Sequence, residues 1–530
     1  LKRGGIHSGK EGANTIPAGR FPGGKIEPCG QPVFLILRPT CHWFRAFCAG
    51  NDGRQRDGNN ILHGVENIDR RGCDFFEDCV QDGLARWWGS RYKGIMNTHQ
   101  TSQCGQARVR RAERCQIEIR TLSLDQMLPL EHQARNIWAY VESLDLSPLY
   151  QKIRAVEGQP GRDHTDPRIL LALWMFATSE SVSSARRIAK LCTRDSAYQW
   201  ICGGVSVNYH LLSDFRTEHV DILDELLTDT IATRLHQGLI SLDVLAQDGM
   251  RVRASAGTSS FRRGETLEKC RQEAQQRVTE LQAERESQAD AAESSSRQQA
   301  ARQRAAEDRA RRVDRALEEL VELQEKKEKR KKGDGKKARA STTDPEARNM
   351  KMADGGFRPA FNVQFATTDE TRLIVSASVI NQGSDRGQMT PVHEDIKQRY
   401  GEKAKQYLVD GGFATVDEIT TMEQDGVDVH APIHGEDRLR KKGTDPHSRQ
   451  QADTDEMFEF RQRMSTDEAK ALYKKRPSIA EFPNAVFPIA ECRNHGLQQF
   501  RLRGQSKVLG EVLLHALTYN FERKQSLGFI

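Results

Sequence analysis

Long apolar runs are missing from this chain. No stretch reaches the length that crosses a membrane, and the opening residues lack the continuous apolar segment of a secretory leader. Paired cysteine motifs are missing too. Seven of the 11 cysteines fall within the first 115 residues, at Cys29, Cys41, Cys48, Cys73, Cys79, Cys104 and Cys115, yet none forms Cys-x-x-Cys and no histidine pair completes a zinc-finger spacing. These absences point away from membrane and zinc-finger classes and toward a cytoplasmic chain with reduced thiols. An excess of one charge is also lacking: 80 Lys and Arg stand against 74 Asp and Glu, a net of +6. Global charge is therefore a weak pointer to nucleic acid, and local clustering matters more.

What is present divides into segments. At 530 residues the chain has room for about two to four domains. Residues 1–95 are rich in Gly, Arg, Cys and Asn, show little periodicity and precede the first methionine, Met96. They are expected to be a poorly structured extension, either upstream sequence read in frame or a basic arm. Residues 118–235 read as helical. Asp166 is placed to cap a helix with Pro167 in its first turn, and Ile169 to Phe176 is apolar on every face, hence buried. Ser181 to Leu191 carries Val182, Ala185, Ile188 and Ala189 on one stripe and Arg186, Arg187 and Lys190 outside it. The pair suits a DNA-binding helix-turn-helix or an ordinary bundle with a basic face.

Residues 264–340 form a charged insert. Small polar residues between about Ser287 and Arg297 predict a helical hairpin, and the segment ends in a lysine-rich tract from Lys326 to Arg339. Strands flank it. Alternating Ala360–Ala366 and β-rich Leu373–Val379 predict a hairpin turning at Thr367–Glu370. Alternating helix and strand follow, with a helix near Pro391–Tyr400, a strand ending at Asp410, a helix near Val416–Gln424 and a strand at Val427–Ala431. That order predicts an α/β fold with a mixed sheet, formed by residues 236–263 and 341–530.

Three carboxylates stand out in this layout. Asp248 closes the apolar run from Leu239, and Asp410 closes Gln406–Val409 before Gly411-Gly412. Glu481 lies in a helix-like stretch after Tyr473 and Arg476. An aspartate often ends a strand for turn chemistry alone. Two such acids with a later glutamate also match the oxygen donors that hard divalent ions require.

The chain from about Leu122 to Leu527 resembles bacterial insertion-sequence transposases of the DDE class, and within them the branch named insertion-sequence eleven-eighty-two. The resemblance is carried by Asp166–Trp174, Cys202–His210, Gln247–Gly257, Met352–Ala360, Leu408–Thr415, Arg493–Leu497 and His515–Phe521. It implies a ribonuclease H-like core, with Asp248 on the first strand, Asp410 on the fourth and Glu481 on a late helix as catalytic and metal-binding residues. The family's Tyr–Arg–Glu signature falls on Tyr473, Arg476 and Glu481. Ile479-Ala480-Glu481 recurs as Ile489-Ala490-Glu491, and two prolines lie between, so Glu491 is the alternative third acid.

The implied cofactor is a pair of Mg²⁺ ions, with Mn²⁺ as a substitute, held between Asp248, Asp410 and the third acid. The implied partner is double-stranded DNA, both element ends and target, cut and rejoined by a homodimer. Alternatives are a nuclease of the same fold and a decayed copy that binds DNA without cutting it. Arg251 and Arg253 share a strand face and could clamp phosphates. Tyr473 and Arg476, three apart, are expected on one helical face, stacking a base and holding a phosphate; a core anchor with a solvated neighbour is the plain alternative. His210 and His515 are read as structural.

Overall fold

The computed structural model describes residues 121–155, 163–287, 293–486 and 497–529. The extension 1–95, with its cysteines, and Glu491 lie outside the described residues.

Eight helices come first: α1 (Leu124–Met127), α2 (Gln133–Glu142), α3 (Ser147–Gln151), α4 (Pro167–Ser179), α5 (Ala185–Leu191), α6 (Ser196–Cys202), α7 (Tyr209–Glu218) and α8 (Val220–His236). Asp166 caps α4, its carboxylate accepting from the Arg168 amide at 2.8 Å. Every residue from Ile169 to Thr178 is buried, as an all-round apolar helix requires. The following helix, α5, starts four residues later than the expected Ser181. Ser181 takes a left-handed φ of 58°, and the Ser184 hydroxyl caps α5 instead.

Strands β1 (Val244–Arg253) and β2 (Phe261–Arg262) lead into two long helices, α9 (Gly264–Ser287) and α10 (Glu293–Arg330). These pack antiparallel: Leu267 near the start of α9 shares a small core with Ala316 and Leu320 near the end of α10, while Arg285 near the end of α9 reaches Gln303. Strand β3 (Ala340–Ser341) then pairs antiparallel with β2, closing the base of the hairpin. The lysine-rich tract makes an ordered turn there. The Glu328 carboxylate accepts from the amides of Gly333 at 2.7 Å and Gly335 at 3.0 Å.

The remaining elements are β4 (Arg348–Lys351), β5 (Phe357–Thr368), β6 (Ile374–Ile380), α11 (Met389–Tyr400), β7 (Gln406–Leu408), α12 (Val416–Gln424), β8 (Asp428–His430), α13 (Glu436–Lys441), α14 (Asp455–Arg463), α15 (Asp467–Tyr473), α16 (Arg476–Val486) and α17 (Gln505–Ser526). The sheet runs β6–β5–β1–β7–β8, with β4 also paired to the first part of β5. β1 is antiparallel to β5 and parallel to β7, and β8 is parallel to β7. This mixed sheet is consistent with a ribonuclease H-like DDE domain.

One expectation needs correcting. Asp248 does not close its strand but sits in the middle of it. The long β5 holds β1 in register from Leu245↔Thr368 to Arg253↔Ala360. On the other side the β7 ladder stops at Ala246↔Leu408, so Asp248 lies just past the end of that ladder alone.

Helix α17 ties the layers together. Its buried face joins one hydrophobic core with Leu170, Trp174 and Leu227 of the preceding helices and with Phe361, Val363 and Phe365 of β5. The approach at Gly510 is so close that a Cβ would meet the Arg216 carbonyl oxygen at 2.5 Å and Val220 at 2.9 Å. His515 is buried within this helix, as expected.

Candidate active site

Alternation along β1 places Ala246 and Asp248 on one sheet face. Ala246 packs there with Leu408, Ile479 and Ala480, which seats α16 across the ends of β1 and β7. The same packing sets Arg476 and Glu481 of α16 beside Asp248. The Arg476 guanidinium bridges the two acids, 3.3 Å from Asp248 Oδ1 and 3.3 Å from Glu481 Oε1. Arg476 is nearly buried, whereas Glu481 is 56% exposed. Asp410 follows β7, and its carboxylate accepts from the Gly412 amide at 2.7 Å, fixing the glycine turn. Burial pushes the Asp248 carboxyl up to about 6, opposed by Arg476 and the Gly249 amide and reinforced by the charges of Asp410 and Glu481. The three acids, distant in sequence, therefore share one electrostatic environment.

Tyr473 belongs to it as well. Burial raises its phenol, Arg476 opposes, and Asp410, Asp248 and Glu481 add to the rise. Tyr473 and Arg476 do not share a helix, contrary to the expectation. Tyr473 ends α15 and Arg476 begins α16, because Pro477 has no N–H to continue a helix but suits the first turn of a new one. Pro483 lies inside α16.

A groove of about 800 Å³ opens from Asp248 and Asp410 and runs past Arg251, Arg253, Arg358 and Asp385 to Leu497 and Gln498. Both predicted phosphate clamps line it. Arg251 Nη1 donates to the Lys351 carbonyl at 3.1 Å, and the backbone of Arg253 bridges to Gln499. Arg186, Arg187 and Lys190 are exposed on α5 and are not among the residues lining the groove.

Sequence reading missed the polar side chains behind the acids. Asn362 and Gln364 of β5, both buried, donate to Asp385 Oδ1 at 2.7 and 2.8 Å. The Asp385 carboxylate lies so close to β1 that a Cβ on Gly249 would meet it at 2.2 Å. The alternating Asn362 and Gln364 between Phe361, Val363 and Phe365 were a signal that one strand face is polar. Nothing in the loop sequence marks Asp385.

The side chains of Asp248, Asp410 and Glu481 offer only oxygen donors, the kind that hard divalent ions take. The three carboxylates are not in tight contact: among the described residues, the group with ligand atoms within 4.8 Å of one another is His393, Glu394 and Asp425. That second cluster is already neutralised. Asp425 binds His393 at 2.8 Å and Lys397 at 3.0 Å, which links α11 to the loop after α12.

Comparison with known proteins comes to two matches. Residues 122–218 match the family model described as "Transposase domain (DUF772)", and residues 333–521 match the one described as "Transposase DDE domain". No curated protein and no solved structure matches the chain.

Proposed function

We propose, from the premise that two successive transposase-domain matches support an insertion-sequence transposase, that this chain binds the terminal repeats of its element and carries out metal-dependent DNA strand cleavage and strand transfer. The observation that carries the reading is that Asp248 and Asp410 open onto one arginine-lined groove while Arg476 bridges Asp248 to Glu481.

Asp248 and Asp410 would hold divalent ions, Mg²⁺ or Mn²⁺, with Glu481 as the third acid and Glu491 as its alternative. Bound ions of this kind activate the attacking oxygen and offset charge at phosphorus. Arg251 and Arg253 lie along the groove where they can pair with successive phosphates. Arg476 offsets the charge of the buried Asp248 and would share that carboxylate with bound ions. Tyr473, partly buried against the core that holds Tyr407 and Met457, is the residue proposed to stack on a displaced base. The basic face of α5, with Arg186, Arg187 and Lys190, offers a separate surface for duplex DNA, and synapsis of two ends favours a homodimer on DNA. No described helix is long and apolar enough to cross a membrane.

The test is a Mg²⁺-dependent assay on plasmid carrying the DNA that flanks the reading frame on both sides. Wild-type protein is expected to give strand-transfer products. Asp248→Ala and Asp410→Ala are each expected to lose activity on the order of 10³-fold. Glu481→Ala and Glu491→Ala assign the third acid by which of them is inactive. Full activity in the Asp410→Ala protein would overturn the mechanism. Cleavage without joined products would assign a nuclease, and binding without cleavage a decayed copy.

A further inference from the structure

Behind the three acids, on the opposite face of β1, lies a buried polar chain. The Tyr407 hydroxyl donates to Gln247 Oε1 at 2.9 Å. Gln247 Nε2 donates to Gln364 Oε1 at 2.9 Å and to the Gln388 carbonyl at 3.0 Å. Gln364 Nε2 donates in turn to Asp385 Oδ1 at 2.8 Å, and Asn362 Nδ2 to the same oxygen at 2.7 Å. The other Asp385 oxygen faces the groove, 3.8 Å from Arg251 Nη2. Tyr407, Gln247, Gln364 and Asn362 are all buried, and Asp385 is 13% exposed. Each member is fixed by its neighbour, so Asp385 stands at the wet end of a line running from β7, the strand that precedes Asp410.

An acid lining a groove that accepts DNA needs a reason to be there. Alone it repels phosphate and lowers affinity. Asp385 has a position that gives it a different effect. Both amide donors are spent on one oxygen, which aims the second at Arg251. Arg251 then has two partners beside the groove, a hydrogen bond to the Lys351 carbonyl and a looser ion pair with Asp385 at 3.8 Å. An arginine pre-set in this way loses less side-chain freedom on meeting a phosphate than a free one. Gly249 makes the arrangement possible, since any Cβ there would occupy the space of the Asp385 carboxylate.

We propose that Asp385 is a positioning residue for DNA: it orients Arg251, on the β1 face opposite Asp248, to take a backbone phosphate in the groove that both residues line. This rests on the transposase reading above. It makes an unusual demand, because removing a negative charge from a DNA groove should here weaken binding.

The experiment uses the full chain and a fluorescein-labelled 40-base-pair duplex of mixed sequence, with anisotropy titrations between about 50 and 200 mM KCl. Asp385→Asn keeps an oxygen for Asn362 and Gln364 and deletes the charge facing Arg251. It is expected to bind about tenfold more weakly than wild type, with the slope of log K against log salt reduced by about one, the signature of one lost phosphate contact. Arg251→Ala is expected to do the same, the double variant no more than either, and Asp385→Glu to recover most of the loss. Should thermal melting show the Asn protein unfolded, Asp385→Ser, which keeps an oxygen acceptor in a smaller side chain, carries the same cycle. Wild-type or tighter binding by the charge-deleted protein overturns the assignment, and so do losses that add across the double variant. Absence of duplex binding by the wild type is distinguishable from these: it would overturn the DNA reading and this assignment with it.

Discussion

At Asp248 the demands of chemistry and of folding are opposed. Its carboxyl is raised to about 6, first by burial and then by Asp410 and Glu481, against the pull of Arg476. A group raised in the folded state stabilises the fold below its unfolded value near 4 and loses that contribution as pH climbs through about 6. At pH 7.5 without metal, the ionised side chain therefore opposes folding by roughly 1–3 kcal/mol. Asp248→Asn should abolish cleavage and raise the melting temperature by a few degrees in EDTA, read by scanning calorimetry across pH 5 to 8. A lower melting temperature would show that the Arg476 pairing outweighs the repulsion. How much of this was legible beforehand differs by residue. Asp248, Asp410, Arg251 and Arg253 reached the groove because β1 runs on past the end of the β7 ladder and a glycine turn follows Asp410, and a strand and a turn are local signals. The salt bridge of Arg476 to Asp248, and the place of Asp385, depend on which strands meet, and no local pattern records that.

Among elements, helices with strong caps were the most readable. α12 runs over the predicted Val416–Gln424 and α4 starts at the predicted cap. The misreadings came where backbone detail decides the outcome, at Ser181 with its left-handed φ and at Pro477, which starts a helix where one continuous helix was expected. α17 carries a feature that apolar patterning hides. Lys524 is buried, donates to the Thr230 carbonyl of α8 at 3.2 Å and lies 5.8 Å from the Tyr140 ring. Burial, helped by Arg234, pushes its ammonium down to about 7. A value depressed in the folded state means that stability rises as pH goes from about 7 toward the unfolded value near 10 and is lost as pH falls through 7. Lys524→Met should remove that slope and stabilise the protein at pH 6 by roughly 1–3 kcal/mol, measured by urea unfolding at pH 6 and pH 9. An equal gain at both values would contradict the titration.

For the whole molecule, the sequence suggested a helical segment beside a catalytic core, and its apolar stretches did give both sets of elements. What it did not convey is that α4, α8, α17 and β5 fill one shared core. Residues 236–530 produced without the helices would expose the faces of α17 that meet Trp174 and Leu227. That fragment should lack a cooperative thermal transition and bind a hydrophobic dye, whereas 118–530 should melt in one step; a sharp transition in the fragment would refute the shared-core view. The short pairing of β2 with β3 has a consequence of another kind. The chain departs at Phe261–Arg262 and returns at Ala340–Ser341, so the helical hairpin leaves and re-enters the fold at one place, beside which Arg315 and Glu319 of α10 pair with Glu346 and Arg348. Ancestors could have gained, lengthened or lost such an appendage without any strand changing its neighbour, and the number of residues between Asp248 and Asp410 is then a record of that history and carries no measure of their separation in space.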